Sequence, residues 1–207
     1  MKKTAILLLL FSLLTACDGN SGNNKRSKVS SSTRSSVTAK SIKRVIKASE
    51  LISKEDAASL VDQIMKDDEM NKRPLVDQNR YVSKDYGFSV ALCQEALHDS
   101  NSDFEKGLLK KGWASYMKEM EKAYSLNYHN QNIVEMDGIE GASYLQDGVA
   151  MGLWLLHIFY GDYYILVTLG NTSLSRKDSE AETAWKQEKL KEAGNLAVRR
   201  LKAIISK

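Results

Sequence analysis

Val149-Ala150-Met151-Gly152-Leu153-Trp154-Leu155-Leu156-His157-Ile158-Phe159-Tyr160-Gly161-Asp162-Tyr163-Tyr164-Ile165-Leu166-Val167-Thr168-Leu169-Gly170 is the stretch on which the fold turns. Its length and apolar character suit either a membrane-spanning helix, which needs about 20 residues, or a hairpin of two buried strands. Asp162 sits inside it, and placing that carboxylate in hydrocarbon costs about 2.5–3.5 kcal/mol on insertion scales. Tyrosines and β-branched residues favour strands, and Gly161 followed by Asp162 supplies the positive φ of a tight turn. The stretch therefore reads as strands over 149–160 and 163–169. Leu153, Leu155 and Phe159 share one face of the first strand, and Trp154, Leu156 and Ile158 share the other. A strand apolar on both sides is a central one with both faces covered.

Outward from the hairpin, short strands at 133–136 and 143–145 run into Asp137-Gly138 and Asp147-Gly148, dipeptides suited to hairpin turns. Together the four strands make an up-down meander. Ser102-Asp103-Phe104-Glu105 is a capping box, and Phe104, Leu108, Leu109, Trp113, Tyr116, Met117, Met120 and Tyr124 follow at helical spacing, so one long helix is expected. Tyr86–Cys93 reads as a strand, and 71–84, after Pro74, as a loop. Ser53-Lys54-Glu55-Asp56 opens a helix with Ala57, Leu60, Val61, Ile64 and Met65 on one face. Ser179-Glu180-Ala181-Glu182 opens another, with the stripe Leu190, Gly194, Ala197, Leu201 and Ile204. The expected fold is α+β, an antiparallel five-strand sheet packed by helices.

The 207 residues, 43% hydrophobic with a single proline, allow one compact domain plus extensions. Met1-Lys2-Lys3 and the apolar run Ala5 to Phe11 have the form of a signal peptide over 1–16. Leu14-Thr15-Ala16-Cys17 resembles the lipobox of bacterial lipoproteins, which implies cleavage before Cys17 and acylation of its thiol and new amine. Two or three fatty acyl chains, at ~0.8 kcal/mol per buried methylene, make such an anchor effectively permanent. Asp18 resembles the signal that retains a lipoprotein in the inner membrane, facing the periplasm, with the outer membrane as the other destination. Residues 17–49 hold eight basic side chains and one acidic, a net +7, among Ser, Asn, Gly and Thr. They read as a flexible basic tether, with Ile42, Val45 and Ile46 as either a turn lying on the bilayer surface or plain linker. A leash of ~24 residues spans about 25–30 Å. Residues 50–207 form the globular domain and carry 20 basic against 25 acidic side chains, a net −5. An acidic domain disfavours nucleic-acid binding.

With Cys17 lipidated, Cys93 is left without a disulfide partner, and its apolar neighbours make it a buried thiol. His98, His129 and His157 have no zinc-ligand spacing, so no metal is expected. His157, amid apolar residues, reads as a satisfied core or cleft histidine. Gly107 to Gly112 has phosphate-loop glycines, but Trp113 stands where lysine is required, and no cofactor is expected. The element order, with Leu51-Ile52-Ser53-Lys54-Glu55-Asp56-Ala57-Ala58, Gly138-Ile139-Glu140-Gly141-Ala142-Ser143-Tyr144 and the Gly161-Asp162 turn, resembles the PsbP-like α/β/α sandwich of DcrB-type lipoproteins over about residues 50–206. The resemblance implies an accessory or binding subunit and no catalytic residue set; a hairpin such folds often carry after the first strand is missing between Cys93 and Ser102.

These readings point to a membrane-anchored, non-catalytic binding module. Its partner would be another envelope protein, a secreted toxin that it neutralises as an immunity protein, or an apolar small molecule, docking through Trp113, Tyr116 and Tyr163. The competing reading is an envelope hydrolase built from Asp137, Glu140, Asp147, Asp162 and His157 near the meander's turns. Replacing Cys17 with Ser is expected to move the chain from the membrane fraction to the soluble one. Unchanged membrane retention would contradict acylation at that residue.

Overall fold

A computed structural model describes residues 44–69, 75–97, 112–127, 132–148, 152–173 and 178–207. Cys17, Asp18, the signal peptide, the tether to residue 43, the 102–105 capping box, His98 and His129 lie outside the described residues. Chain order is α1 (Ala48–Leu51), α2 (Lys54–Val61), β1 (Lys66–Asp68), β2 (Val76–Val82), β3 (Tyr86–Cys93), a 3-10 turn (Glu95–Leu97), α3 (Trp113–Asn127), β4 (Ile133–Glu135), β5 (Ala142–Asp147), β6 (Trp154–Tyr160), β7 (Tyr163–Asn171) and α4 (Glu180–Ile205).

Two capping devices fix helix starts from local sequence. The Ser53 hydroxyl accepts from the Asp56 N–H at 3.2 Å while the Asp56 carboxylate accepts from the Ser53 N–H at 2.8 Å, closing a reciprocal box at α2. The Ser179 hydroxyl accepts from the Glu182 N–H at 3.2 Å and opens α4.

Among the described residues all strand pairs are antiparallel, and the seven-strand order is β1-β2-β3-β7-β6-β5-β4. The expected meander is β4 to β7, and β3 joins its inner edge by pairing with β7. Tyr160 pairs with Tyr163 across a two-residue turn whose Gly161 has φ 57°, the conformation a II′ hairpin requires at its first central position. Both edge strands have only three residues, and β1 is entirely charged (Lys66, Asp67, Asp68). Short, charged edges discourage pairing with other chains.

Side chains alternate across the sheet, so Leu156 and Ile158 face one way and His157 and Phe159 the other. The first face packs on α1, α2 and α4 through Phe88, Val90, Leu92, Ile165, Val167 and Leu169, with Leu51, Ala57, Leu190, Ala197 and Leu201 opposite. Gly194 brings α4 close to the sheet, since a Cβ there would lie 2.8 Å from a Leu156 methyl and 2.9 Å from one of Ile139. Arg200 ties α4 to α2, donating to both Asp56 oxygens and to the Leu51 carbonyl. The second face meets α3, whose Tyr124 ring lies 4.4 Å from His157 and 5.5 Å from Phe159.

Five expectations change. Residues 76–82, read within a loop, form β2, and with β1 they make the sheet seven strands wide instead of five. Asp77 spends its carboxylate on the Ala48 N–H at 2.6 Å, and Tyr81 donates to the Ile52 carbonyl at 3.1 Å, so this strand's polar side chains hold α1 in place. Gly112, at φ 85°, is not helical and α3 begins at Trp113, while the expected helix start at 102–111 lies outside the described residues. The α2 helix stops at Asp62 in the left-handed region, which leaves Ile64 87% exposed while Met65 remains buried. Ile46 lies neither on a bilayer nor in a solvated linker. It is buried in the core, and its N–H and C=O are both engaged by the Gln94 carboxamide at 2.9 and 2.7 Å. The β4–β5 connection is also longer than a tight hairpin, running from Met136 to Gly141.

In that connection Gly141 has φ 103°, and an added Cβ would sit 2.5 Å from the Phe159 carbonyl oxygen. Gly141→Ala is therefore expected to destabilise the fold by about 1–3 kcal/mol. Urea denaturation checks this; an unchanged midpoint would contradict the turn geometry.

Candidate functional site

His157 is the histidine the sequence singles out, and β6 places it mid-sheet, 2% exposed, beneath α3. Its Nε2–H donates to Gln146 Oε1 at 3.0 Å, so Nδ1 carries the lone pair and accepts from the Tyr164 hydroxyl at 2.8 Å. Tyr124 is the second hydrogen-bond partner of the Tyr164 phenol. Gln146 on β5, His157 on β6 and Tyr164 on β7 thus link three adjacent strands to α3 by one chain of hydrogen bonds. Desolvation lowers the pKa of His157 to about 3, so it is neutral at pH 7. The same burial raises Tyr164 well above the usual phenol value, with the neighbouring Tyr124 phenol as a further cause.

Cys93 is buried, and desolvation pushes its thiol up to about 12, which keeps it protonated and unreactive. Among the described residues no group of three or more His, Cys, Asp or Glu is arranged to hold a metal ion, and no helix is long and apolar enough to cross a membrane.

The five candidate acid–base residues are not drawn into one cleft. Asp147 pairs with Trp154 at one end of β6, whereas Asp162 occupies the turn after its other end, about 20 Å away at strand rise. Glu140 is exposed and held by Lys202 Nζ at 2.9 and 3.0 Å, with the Tyr160 hydroxyl at 3.4 Å. Asp137 is exposed on the β4–β5 connection. Neither nitrogen of His157 meets a carboxylate.

Of the candidate binding surface, Trp113 is 6% exposed, and its indole N–H donates to the Asp162 carbonyl at 2.7 Å. Tyr116 is half-buried with its ring 5.7 Å from Trp113, and burial raises its phenol to about 12. Tyr163 packs partly against the core, and with Trp113, Gln94 and Asp162 it lines a narrow crevice beside the β6–β7 turn. A wider groove of about 350 Å³ runs between β4 and α4, lined by Val134, Met136, Leu145, Gln187 and Lys191 among others, with Val134 53% exposed.

One polar cluster escapes the sequence reading. Lys186 on α4 is fully buried against Asp178, Asn171 and the Gly152 carbonyl. The signal was periodicity: the stripe Leu190, Gly194, Ala197, Leu201, extended back one turn, lands on Lys186.

The chain matches no protein-family model, no curated protein and no solved structure.

His157 sets a pH dependence. Its folded pKa of about 3 lies below the unfolded value of 6.5, so between these limits the unfolded chain binds the extra proton. The stability that depends on neutral His157 is full above pH 6.5 and is lost progressively as pH falls toward 3. Chemical denaturation across that window is expected to show a shallower decline for His157→Gln than for the parent chain. Parallel declines would contradict the buried neutral imidazole.

Proposed function

We propose that this chain is a non-catalytic binding or accessory module of the bacterial envelope, anchored by acyl chains on Cys17 and facing the periplasm from the inner membrane. The observation that carries the non-catalytic reading is the separation of its acid–base groups: His157 is sealed between Tyr164 and Gln146 while Asp147 and Asp162 stand at opposite ends of β6. General acid–base chemistry needs two such groups within reach of one substrate atom. The anchoring reading rests on the Leu14-Thr15-Ala16-Cys17 lipobox resemblance and the basic residues that follow it. Helices on both faces of an antiparallel sheet agree with the PsbP-like sandwich that the sequence resembles, and that resemblance points to accessory subunits.

An acidic domain on a basic leash stays near an anionic bilayer without lying flat on it. From there it reaches partners within the periplasmic depth that the tether spans. The partner class is another envelope protein, and the specific version is an immunity lipoprotein that blocks a toxin arriving in the periplasm.

Affinity isolation of the acylated chain from envelope membranes, read by mass spectrometry, tests this. A protein recovered in about equal amount with the chain, and lost on surface substitution at Val134 or Tyr116, is the expected result. Turnover of peptidoglycan or phospholipid by the purified chain, with no protein recovered, would overturn it.

A further inference from the structure

Lys186, Asn171 and Asp178 bring a nucleophile, an electrophile and a proton carrier together in a dry site. Lys186 is 0% exposed and Asn171 9%, and the Asp178 side chain is 5% exposed. Lys186 Nζ lies 2.7 and 2.8 Å from the two Asp178 oxygens, 2.8 Å from Asn171 Oδ1 and 2.9 Å from the Gly152 carbonyl. Four oxygens therefore face the three protons of one ammonium. Asn171 Nδ2 donates to Asp178 Oδ1 at 2.8 Å, so the same carboxylate touches both the amine and the carboxamide nitrogen. Since a C=O bond is about 1.2 Å long, Asn171 Cγ lies within about 4 Å of Nζ, near the separation from which bonds form. Tyr86 walls the site, its ring centroid 5.7 Å from Nζ, and Trp185 packs on that ring at 5.1 Å.

We propose that Lys186 and Asn171 become joined in the folded domain by an isopeptide bond, with Asp178 as the proton carrier. In a desolvated site, transfer of a proton from the Lys186 ammonium to Asp178 turns two buried charges into two neutral groups. The freed Nζ lone pair attacks Asn171 Cγ, and the carbonyl oxygen takes the negative charge of the tetrahedral intermediate. One of the remaining Nζ protons passes to Nδ2. The Cγ–Nδ2 bond then breaks, ammonia leaves, and it takes the proton held by Asp178 away as ammonium. One carbon–nitrogen bond forms and one breaks, nothing is oxidised or reduced, and no co-reactant is needed. The product covalently ties α4 to the end of β7, bridging residues 171 and 186 across the connection between these two elements.

Mass spectrometry of the purified, folded full chain tests this. Expected is a chain lighter than its sequence by one ammonia, about 17 Da, after allowance for any acyl groups. A tryptic digest should give a branched peptide linking Asn171 to Lys186 and no cleavage after Lys186. Lys186→Arg and Asp178→Asn should each restore the full mass, and Asn171→Asp should change the loss to one water, about 18 Da. A folded parent chain at full mass, cleaved normally after Lys186, would overturn the proposal whether or not the variants fold. So would an ammonia loss without the branched peptide, because a succinimide at Asn171 has the same mass.

Discussion

The β6–β7 hairpin is apolar on both faces, and the architecture follows from covering both. Leu156, Ile158, Ile165, Val167 and Leu169 demand one helical layer, which α4 supplies with a stripe narrow enough, at Gly194, to approach the sheet closely. His157, Phe159 and Tyr164 demand another, which α3 supplies through Tyr124. Each fully buried large aliphatic side chain contributes about 1.5–3 kcal/mol through desolvation, so the paired strands at the centre dominate the gain. Polar groups caught in that centre must find partners inside the protein, and they do: His157 with Gln146 and Tyr164, Gln94 with the Ile46 backbone, Lys186 with Asp178 and Asn171. A buried polar group left unpaired would cost about 1–3 kcal/mol.

What the sequence made legible was whatever local chemistry decides. Gly161-Asp162 marked the tight turn, Ser53 and Ser179 marked two helix starts, and the double-faced pattern of residues 154–159 marked a central strand. Cys93 and His157 were readable because an apolar neighbourhood leaves a lone polar group little freedom. The misreadings came where tertiary partners decide. In Val76–Val82, Asp77, Gln78, Asn79 and Arg80 give the hydropathy of a loop, yet the segment pairs along its whole length with β3. Asp77 and Arg80 also have specific partners, the Ala48 N–H and Asp68. A solvated linker and an N-terminal strap are equally polar, so only the bidentate grip of Gln94 distinguishes Ile46 as part of the domain. Lysine within a charged helix reads as solvent-facing, and the acceptors that bury Lys186 come from β7 and from the two connections at Gly152 and Asp178.

These polar ties share a direction. The Gln94, Asp77 and Arg200 contacts bind α1, α2 and the segment before them to the sheet and to α4, while Lys186 binds the start of α4 to the end of β7. The interior is therefore cross-braced by groups whose hydrogen-bonding capacity is already used within the domain. Outside that bracing, Val134 on β4 is exposed and Tyr116 on α3 is half-buried.

Native-state hydrogen exchange of β6 tests the central role of the hairpin most directly. Covered on both faces, the amides of Leu156, His157 and Ile158 should exchange only through global unfolding, with protection equal to the stability from denaturant titration. Exchange of those amides by local opening, at a free energy clearly below global stability and below that of the α4 amides, would contradict a hairpin sealed between two helical layers.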